Sequence, residues 1–187
     1  MRTYTDAGLS DYVKDRFHSK QFVRVAIIPF DVPETFAPPG NESLHFGREM
    51  ARKFQGEFIR TGVLPIVELF NVDRWPGKRE EFFEGNYQAM MFARDAGYDL
   101  VVVGYLEELR NDEELNVYTK IIDTGNYMTL WYGKTMVYSR DRTWRKVLAE
   151  ARMFKDRPDL FNFAERTEEL ALCTVNRIVA GPLLVEQ

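Results

Sequence analysis

The most strand-like stretch of the sequence is residues 99–109, DLVVVGYLEEL. Its apolar run is nearly unbroken and rich in β-branched residues, which is typical of a strand covered on both faces. A second run of this kind is residues 22–30, FVRVAIIPF. A third is residues 63–70, VLPIVELF, in which the proline indicates an edge strand or the start of a strand. The three runs together predict the centre of one sheet.

Amphipathic helices are predicted between these strands. Residues 44–61 place apolar or small side chains at helical spacing behind Ser43, a suitable N-cap, and Gly62 follows as the stop signal. Residues 80–97, EEFFEGNYQAMMFARDAG, form a second amphipathic stretch that is again closed by a glycine. Helices of this length between apolar strands imply right-handed crossovers and largely parallel strand pairing.

The period of the sequence changes after the third strand. Residues 114–139 alternate between apolar and polar side chains around a turn-like composition at 124–126, which predicts an antiparallel hairpin that extends the same sheet. A last amphipathic helix is predicted over residues 159–180. The sequence thus predicts one α/β domain over residues 22–187, three-layer-like, with the order β-α-β-α-β followed by a hairpin and a C-terminal helix. An N-terminal arm or helix at residues 1–21 precedes it.

Composition and charge exclude several classes of partner. The 187 residues carry 25 basic and 29 acidic side chains, a net charge of −4, with a pI of about 5.4. Lys and Arg form no block, which disfavours a nucleic-acid partner. The single cysteine, Cys173, excludes an intrachain disulfide and a thiolate metal cluster. Neither a stretch of about 18 consecutive apolar residues nor a signal-peptide-like segment occurs, so no membrane span is predicted.

The motifs of common active sites do not occur in the sequence. Neither G-x-G-x-x-G nor G-x-x-x-x-G-K-[ST] is present, and the loop after the first strand is rich in proline, which lacks the N–H groups that a phosphate cradle needs. Asp123-Thr124-Gly125 occurs once and is predicted to be a turn, not half of an aspartic-protease dyad. His18 and His45 lie in unrelated contexts. We expect no catalytic residue, no cofactor and no metal site, and a chain that is not an enzyme.

Acidic side chains crowd the end of the third strand and the loop after it: Glu107, Glu108, Asp112, Glu113 and Glu114. Adjacent glutamates in a strand point to opposite faces, so the run is predicted to be solvated and to protect a sheet edge. An alternative stays open. A small-molecule-binding or enzymatic flavodoxin-like domain would hold its ligand at the carboxyl ends of the strands, between Asp31, Asn71 and the acidic stretch 107–114.

Large aromatic side chains are the candidates for protein contacts. Phe36 and Trp75 lie in the two long predicted loops, where bulky residues are natural anchors for a partner. Trp131 and Tyr132 are neighbours on the second hairpin strand, so they face opposite sides of the sheet, and at least one of the two rings is expected to be exposed. Aromatic residues are enriched at the centres of interfaces. These four residues are the predicted protein-contact residues.

Four segments of the sequence resemble one family of bacterial proteins. They are VRVAIIPF at 23–30, Arg60-Thr61-Gly62 after the first helix, AGYDLVVVG at 96–104, and KIIDTG at 120–125 running on to LWYG at 130–133. Their order is similar to the amino-terminal-domain type of TolB, the curli-export lipoprotein CsgG and the penicillin-binding-protein activator LpoB. The sheet topology also resembles that of anticodon-binding domains.

The resemblance implies a location and a kind of partner. Proteins of this type act through protein contacts in the bacterial cell envelope, often as lipoproteins. It implies a non-enzymatic periplasmic protein, or one held at the outer membrane through an N-terminus that was removed or not cloned. Such a protein would be an accessory or ring-forming subunit of a secretion, cell-wall or flagellar machinery. Its partners would be envelope proteins or further copies of the same chain.

Overall fold

The computed structural model describes residues 8–33, 42–70, 82–83, 87–107, 114–138 and 160–181. The helices in these ranges are α1 (Leu9–Arg16), α2 (Glu42–Thr61), α3 (Tyr87–Asp95) and α4 (Leu160–Ala180). The strands are β1 (Arg24–Ile27), β2 (Ile66–Leu69), β3 (Leu100–Leu106), β4 (Glu114–Asp123) and β5 (Thr129–Tyr138).

The strands form one five-stranded sheet in the order β2-β1-β3-β4-β5. β1 is parallel to both β2 and β3, whereas β4 and β5 add antiparallel strands on the far side of β3. This arrangement confirms the predicted β-α-β-α-β order, the hairpin and the closing helix. β2 lies at an edge of the sheet and follows Pro65 directly, as the proline in that run predicted.

Several predicted elements differ from the structure at their ends. α2 begins at Glu42, so Ser43 lies inside the helix and is not its N-cap, and β2 spans Ile66–Leu69 and not residues 63–70. β1 stops at Ile27 and not at residue 30, because Pro29 has no N–H and Phe30 donates its own to the carbonyl oxygen of Gly47 in α2. Within the second predicted helix, residues 80–97, α3 covers Tyr87–Asp95. Phe82 and Phe83 are helical as well, but the residues between them and α3 lie outside the described part of the chain.

Three helices cover one face of the sheet. α1, α2 and α4 pack there against the apolar side chains that alternate along the strands, and the strand hydrophobics contact helix hydrophobics directly. Each element contributes side chains that are closed off from solvent, which makes this layer the main core of the domain. Among them are Leu9, Phe54, Phe58, Val117, Ile121, Leu170 and Ile178.

One helix, α3, covers part of the other face. Its buried residues Ala89, Met90 and Ala93 pack over β1 and β3. Small side chains on both sides, such as Ala26 and Ala93, let the helix approach the sheet closely. Helices therefore lie on both faces, and the predicted three-layer arrangement is confirmed.

Close packing against Phe30 requires glycine at two positions of the chain. Its ring packs on Phe54 with 4.6 Å between ring centroids, and it also lies over Gly104 of β3. A Cβ at Gly104 would sit 2.3 Å from that ring, and a Cβ at Gly47 would sit 2.1 Å from the Phe30 carbonyl oxygen. A residue without a side chain is needed at both positions. The Pro-Phe and Val-Gly pieces of the sequence resemblance are therefore packing motifs.

A helix side chain reaches the outer side of each edge strand. Gln55 of α2 donates from Nε2 to the carbonyl oxygen of Val67 in β2 at 2.9 Å. Arg177 of α4 donates from a terminal nitrogen to the carbonyl oxygen of Lys134 in β5 at 3.4 Å. α2 and α4 lie in the same helical layer. The layer that covers the core therefore also provides a hydrogen-bond donor to a carbonyl oxygen of each edge strand.

Candidate protein-contact surface

The structure places two of the four predicted contact residues, Trp131 and Tyr132, side by side on β5. The Trp131 side chain lies in the core beneath α4, is only 8% exposed, and covers Gly133, where a Cβ would be 2.5 Å from the indole. Tyr132 points to the opposite face and is 42% exposed. Phe36 and Trp75 lie outside the described part of the chain. Tyr132 is therefore the one predicted residue that the structure locates on a solvent-facing surface.

Tyr132 begins a row of solvent-facing side chains on β5. Because side chains alternate along a strand, Lys134, Met136 and Tyr138 point the same way. Tyr132, Met136 and Tyr138 are each about half exposed. Together with Phe83, which is 64% exposed, they form what we call the aromatic surface.

The rings beneath the aromatic surface pack against one another. Tyr105 of β3 and Tyr118 of β4 stack with centroids 4.8 Å apart and planes inclined by 9°. Phe82 packs on this pair, 5.0 Å from Tyr105, and also lies 5.9 Å from Tyr132. Phe83 is 5.9 Å from Tyr105. The ring contacts hold two of the exposed aromatics, Tyr132 and Phe83, against a buried support, which makes this part of the surface rigid.

Lys120 lies inside this ring cluster. Its ammonium group donates to the carbonyl oxygen of Phe82 and sits 4.5 Å from the centroid of the Phe82 ring. It is also 5.8 Å from the centroid of the Tyr132 ring. Burial lowers the pKa of the Lys120 ammonium group, and burial raises the pKa of the Tyr132 hydroxyl, with the Tyr118 hydroxyl adding to that effect. Lys120 joins the segment at 82–83 to β4.

Lys134 is held by a different partner. It donates to Glu107 at 2.7 Å and lies 5.2 Å from the centroid of the Tyr118 ring. Burial has the largest single effect and lowers the pKa of Lys134, but the hydrogen bonds to and the charges of Glu107 and Tyr118 together outweigh it, and the pKa is raised. Asn116 also donates to Glu107, at 3.1 Å. The prediction of a solvated charge at position 107 is therefore wrong, because strand register brings a lysine and an amide to it. Glu108, Asp112 and Glu113 lie outside the described residues.

The sequence prediction missed most of this surface. Phe83, Met136 and Tyr138 were not selected, although the alternation in 114–139 carried a usable signal. The observed pairs are Lys120 with Tyr132 and Tyr118 with Lys134. This register depends on the connection 124–128 and on a bulge beside Ile121 and Ile122, so the turn composition at 124–126 alone did not give it. Two cross-strand pairs of a lysine with an aromatic residue on one face are typical of an ordered surface, because each lysine can lie over the ring opposite to it.

A cleft of about 320 Å³ lies elsewhere on the molecule, where the end of α1 meets the β4–β5 turn. Asp99 and Asp123 line it and are both buried. The Asp123 carboxylate accepts from Tyr12 at 2.8 Å and from Arg16 at 3.2 Å. The remaining lining residues are Phe17, Ser19, Lys20, Arg94, Gly97, Tyr98, Thr124 and Gly125.

This cleft is at the wrong end of the sheet for the flavodoxin-like alternative. Asp99 precedes β3, so the cleft opens at the amino ends of the parallel strands, whereas that alternative needs their carboxyl ends. At the carboxyl end of β1, Asp31 instead continues the sheet. Its N–H donates to Gly104, and its carbonyl accepts from Leu106. Asn71, the other residue of that alternative, lies outside the described residues.

Side chains suited to binding a metal ion are not grouped in the described ranges. There, no three His, Cys, Asp or Glu side chains are placed to hold a metal ion. His18 lies at the exposed end of α1, where its Nδ1 is 2.9 Å from the carbonyl oxygen of Asp15. Within the same ranges, no helix is long and apolar enough to cross a bilayer.

Comparison with known proteins gives matches in structure. No family model matches the chain, and no curated protein matches its sequence. The fold is similar to that of PelC, solved as a dodecamer from Paraburkholderia phytofirmans, with a TM-score of 0.50 and 12% identity. That match covers 95% of this chain and 94% of that chain.

Two further matches bear on the resemblance seen in the sequence. TolB from Acinetobacter baumannii matches with a TM-score of 0.39 and 15% identity, over 72% of this chain and 28% of that chain. The LpoB C-terminal domain from Salmonella enterica matches with a TM-score of 0.35 and 14% identity, over 71% of this chain and 96% of that chain. Both are proteins of the type that the sequence motifs resemble. The likeness at these identities is one of fold.

Proposed function

We propose that this chain is a non-enzymatic protein-interaction subunit of the bacterial cell envelope, and that it self-associates through the aromatic surface. The observation that carries the proposal is the half-exposed row of Tyr132, Met136 and Tyr138 on β5. Large apolar side chains grouped on one face are typical of contact sites. The dodecameric state of PelC, which has a similar fold, supports self-association. The sequence resemblance to TolB and LpoB supports the envelope location.

The size and rigidity of the aromatic surface suit a protein partner. Six residue steps separate Tyr132 from Tyr138, which corresponds to about 20 Å along the strand. Phe83 widens the surface beside this row, and its ring packs on Tyr105 and Tyr118. Rigid aromatic side chains lose little conformational entropy on binding, so they contribute strongly to the stability of a complex.

A second copy of the chain is the partner that the charges fit best. The two lysines on this face are already satisfied within the chain, Lys120 by a carbonyl oxygen of Phe82 and Lys134 by Glu107. Two copies that meet face to face therefore bring together rings and methionines, while each Lys134 stays paired with its own Glu107 and each Lys120 stays among its own rings. Such an isologous contact uses the same residues on both subunits.

The finer assignment goes beyond self-association. The subunit would be an accessory or ring-forming part of a secretion, cell-wall or flagellar machinery in the periplasm or at the outer membrane. Phe36 and Trp75 would contact other envelope proteins, and Trp131 would support Tyr132 from the core side of β5. Fractionation of cells that express the natural gene from its own start tests the location, and recovery in the cytoplasm would contradict it.

Solution mass tests the proposed self-association. Sedimentation velocity over a range of concentrations is expected to show an oligomer for the natural sequence. The double variant Tyr132→Ser, Tyr138→Ser should weaken association by at least about tenfold, because it removes two anchors from the centre of the contact. A matched control, Phe22→Ser with Ile59→Ser, changes two side chains of similar exposure elsewhere on the surface.

Comparison of the two double variants distinguishes a specific contact through the aromatic surface from nonspecific association of exposed apolar side chains. Loss of association in the Tyr132 and Tyr138 variant, with the control unchanged, supports the proposal. A natural chain that stays monomeric at all concentrations overturns self-association. An equal effect of the control pair would show that any exposed apolar side chain matters, and it would overturn the assignment to this surface.

A further inference from the structure

The cleft between the end of α1 and the β4–β5 turn is a second site, independent of the aromatic surface. We infer that it binds the phosphate group of a small molecule or of a lipid headgroup. Three cationic side chains line the cleft: Arg16, Lys20 and Arg94. Two carboxylates, Asp99 and Asp123, line it as well, and they lie in other segments of the chain than the cations do. The lining thus carries one more positive charge than negative charge. This inference does not rest on the proposed self-association.

The two carboxylates of the cleft have little accepting capacity left. Asp123 accepts from the main-chain N–H groups of Gly125 and Asn126 at 2.7 and 3.2 Å, in addition to Tyr12 and Arg16. Asp99 accepts from the Lys20 ammonium group and, at 3.1 Å, from the main-chain N–H of Arg24. Each carboxylate oxygen therefore already has a donor. A metal cation would have to displace those donors, which disfavours a cation as the ligand.

The cations, in contrast, have unused donors. A guanidinium group has five N–H donors and an ammonium group has three. Among the hydrogen bonds of the described residues, the Arg16 guanidinium group donates only from Nε, and the Lys20 ammonium group makes one hydrogen bond, to Asp99. Arg94 donates to the Tyr127 hydroxyl, and its Nε lies 3.8 Å from the exposed Asp95. A cleft with surplus donors is complementary to a ligand rich in acceptors.

Phosphate fits this donor arrangement better than a carboxylate does. The three cations come from the end of α1, the segment after it and the end of α3, so their donors approach from separate elements. A phosphate group presents three or more acceptor oxygens in three dimensions, whereas a carboxylate presents two in one plane. Arginine is well suited to bidentate phosphate contacts.

The walls of the cleft leave room for a small ligand. Gly97, with φ of 80°, and Gly125 form part of the lining without side chains. A Cβ at Gly125 would sit 3.3 Å from Nη2 of Arg16, so that guanidinium passes close over the turn. The volume of about 320 Å³ is at the lower end of the range for small-molecule sites. A bound phosphate would connect α1 to the β4–β5 turn and so stabilise the docking of α1.

Titration of the full chain with inorganic phosphate tests the inference. Calorimetry and thermal unfolding should be measured at constant ionic strength, with chloride replaced by phosphate. Saturable binding and a rise in Tm are expected. Arg94→Gln should weaken phosphate binding by about tenfold, since one charge-assisted contact is lost. Arg16→Gln should do the same, and Arg60→Gln, an exposed arginine of α2 paired with Glu57, is the matched control.

A second experiment, with lipid vesicles, distinguishes a phosphate group on a lipid headgroup from one on a soluble small molecule. Flotation with phosphatidylglycerol vesicles, compared with neutral phosphatidylcholine vesicles, reports on lipid headgroups. Vesicle binding that free phosphate competes away and Arg94→Gln abolishes assigns the site to a headgroup. Phosphate binding without vesicle binding assigns it to a soluble ligand. Arg94 makes only surface contacts, so its variant keeps the test valid if Arg16→Gln unfolds. No effect of phosphate beyond that of chloride, or equal losses in Arg60→Gln, would overturn the inference.

Discussion

The two faces of the sheet are made from the same strands, yet they differ in what covers them. On one face α1, α2 and α4 enclose a continuous layer of apolar side chains. On the other face α3 covers β1 and β3, and in the described part of the chain β4 and β5 display rings and lysines that stay partly in contact with water. Neighbouring residues therefore differ in role: Trp131 packs in the core, whereas Tyr132 faces solvent.

The difference shows how one strand can stabilise the fold and present a contact surface at once. Alternation in β5 sends Trp131 and Val137 into the core, while Tyr132 and Met136 face outward. A substitution on the core side should cost folding free energy. A substitution on the outer side should leave folding nearly unchanged and alter association. The following experiments test this division, from the largest expected effect to the smallest.

The largest contrast is between two phenylalanines, one for each face. Phe54 of α2 is fully buried against Phe30, so Phe54→Ala should lower the free energy of unfolding by about 3–5 kcal/mol. Phe83 is 64% exposed, so Phe83→Ala should change it by no more than about 0.5 kcal/mol. Urea unfolding followed by circular dichroism measures both. Similar losses for the two variants would show that the outer face is also core.

A smaller effect is expected from a methyl group added at a glycine. Gly104→Ala places a Cβ 2.7 Å from the Tyr118 carbonyl oxygen and within the Phe30 ring, so it should destabilise the domain by about 1–3 kcal/mol. Gly56→Ala in α2 is the matched control, because nothing lies within 4 Å of its added Cβ. That control should gain about 0.5–1 kcal/mol. Thermal unfolding distinguishes the two signs, and a neutral Gly104→Ala would contradict the close approach of Phe30.

The smallest effect concerns the pH dependence of the two lysines on the outer face. The folded pKa of Lys120 is lowered by burial, so below its ordinary value the unfolded chain binds more protons and stability rises with pH. The variant Lys120→Met lacks this rise. Its stability relative to the natural chain should therefore fall as the pH is raised from about 7.5 to about 10, close to the ordinary lysine pKa.

Lys134 provides the control for that experiment. Its folded pKa is raised, so its contribution to stability is fully present below the ordinary lysine pKa and is lost only at higher pH. Lys134→Met should therefore keep a constant stability difference from the natural chain across the same window. Urea unfolding at both pH values measures the two differences. A constant difference for Lys120→Met would contradict the burial of its ammonium group.

Most of the fold could be predicted because its signals are local. The apolar runs, the helical spacing behind Ser43 and the turn at 124–126 each depend on neighbouring residues only. The end of β1 could not be placed from the run FVRVAIIPF. That end depends on Phe30 bonding to Gly47, which lies 17 residues further along the chain. Long-range hydrogen bonds of this kind leave no local pattern.

The candidate surface was predicted less completely, for the same reason. Tyr132 could be selected because its strand and its neighbour Trp131 were evident. Phe82 and Phe83 could not, because their contacts with Tyr105 depend on the path of the chain between distant elements. The cleft residues share this property, since Arg16 and Asp123 are 107 positions apart.

The side chains of Gln55 and Arg177, which bond to the two edge strands, affect whether another copy of the chain can pair with those edges. Exposed strand edges are the starting points of fibres, because each new chain can extend the ladder of main-chain hydrogen bonds. Gln55 and Arg177 each occupy an outer acceptor, at Val67 and Lys134. A further chain that added to either edge would have to displace these side chains before it could bond to the carbonyl oxygens of Val67 or Lys134.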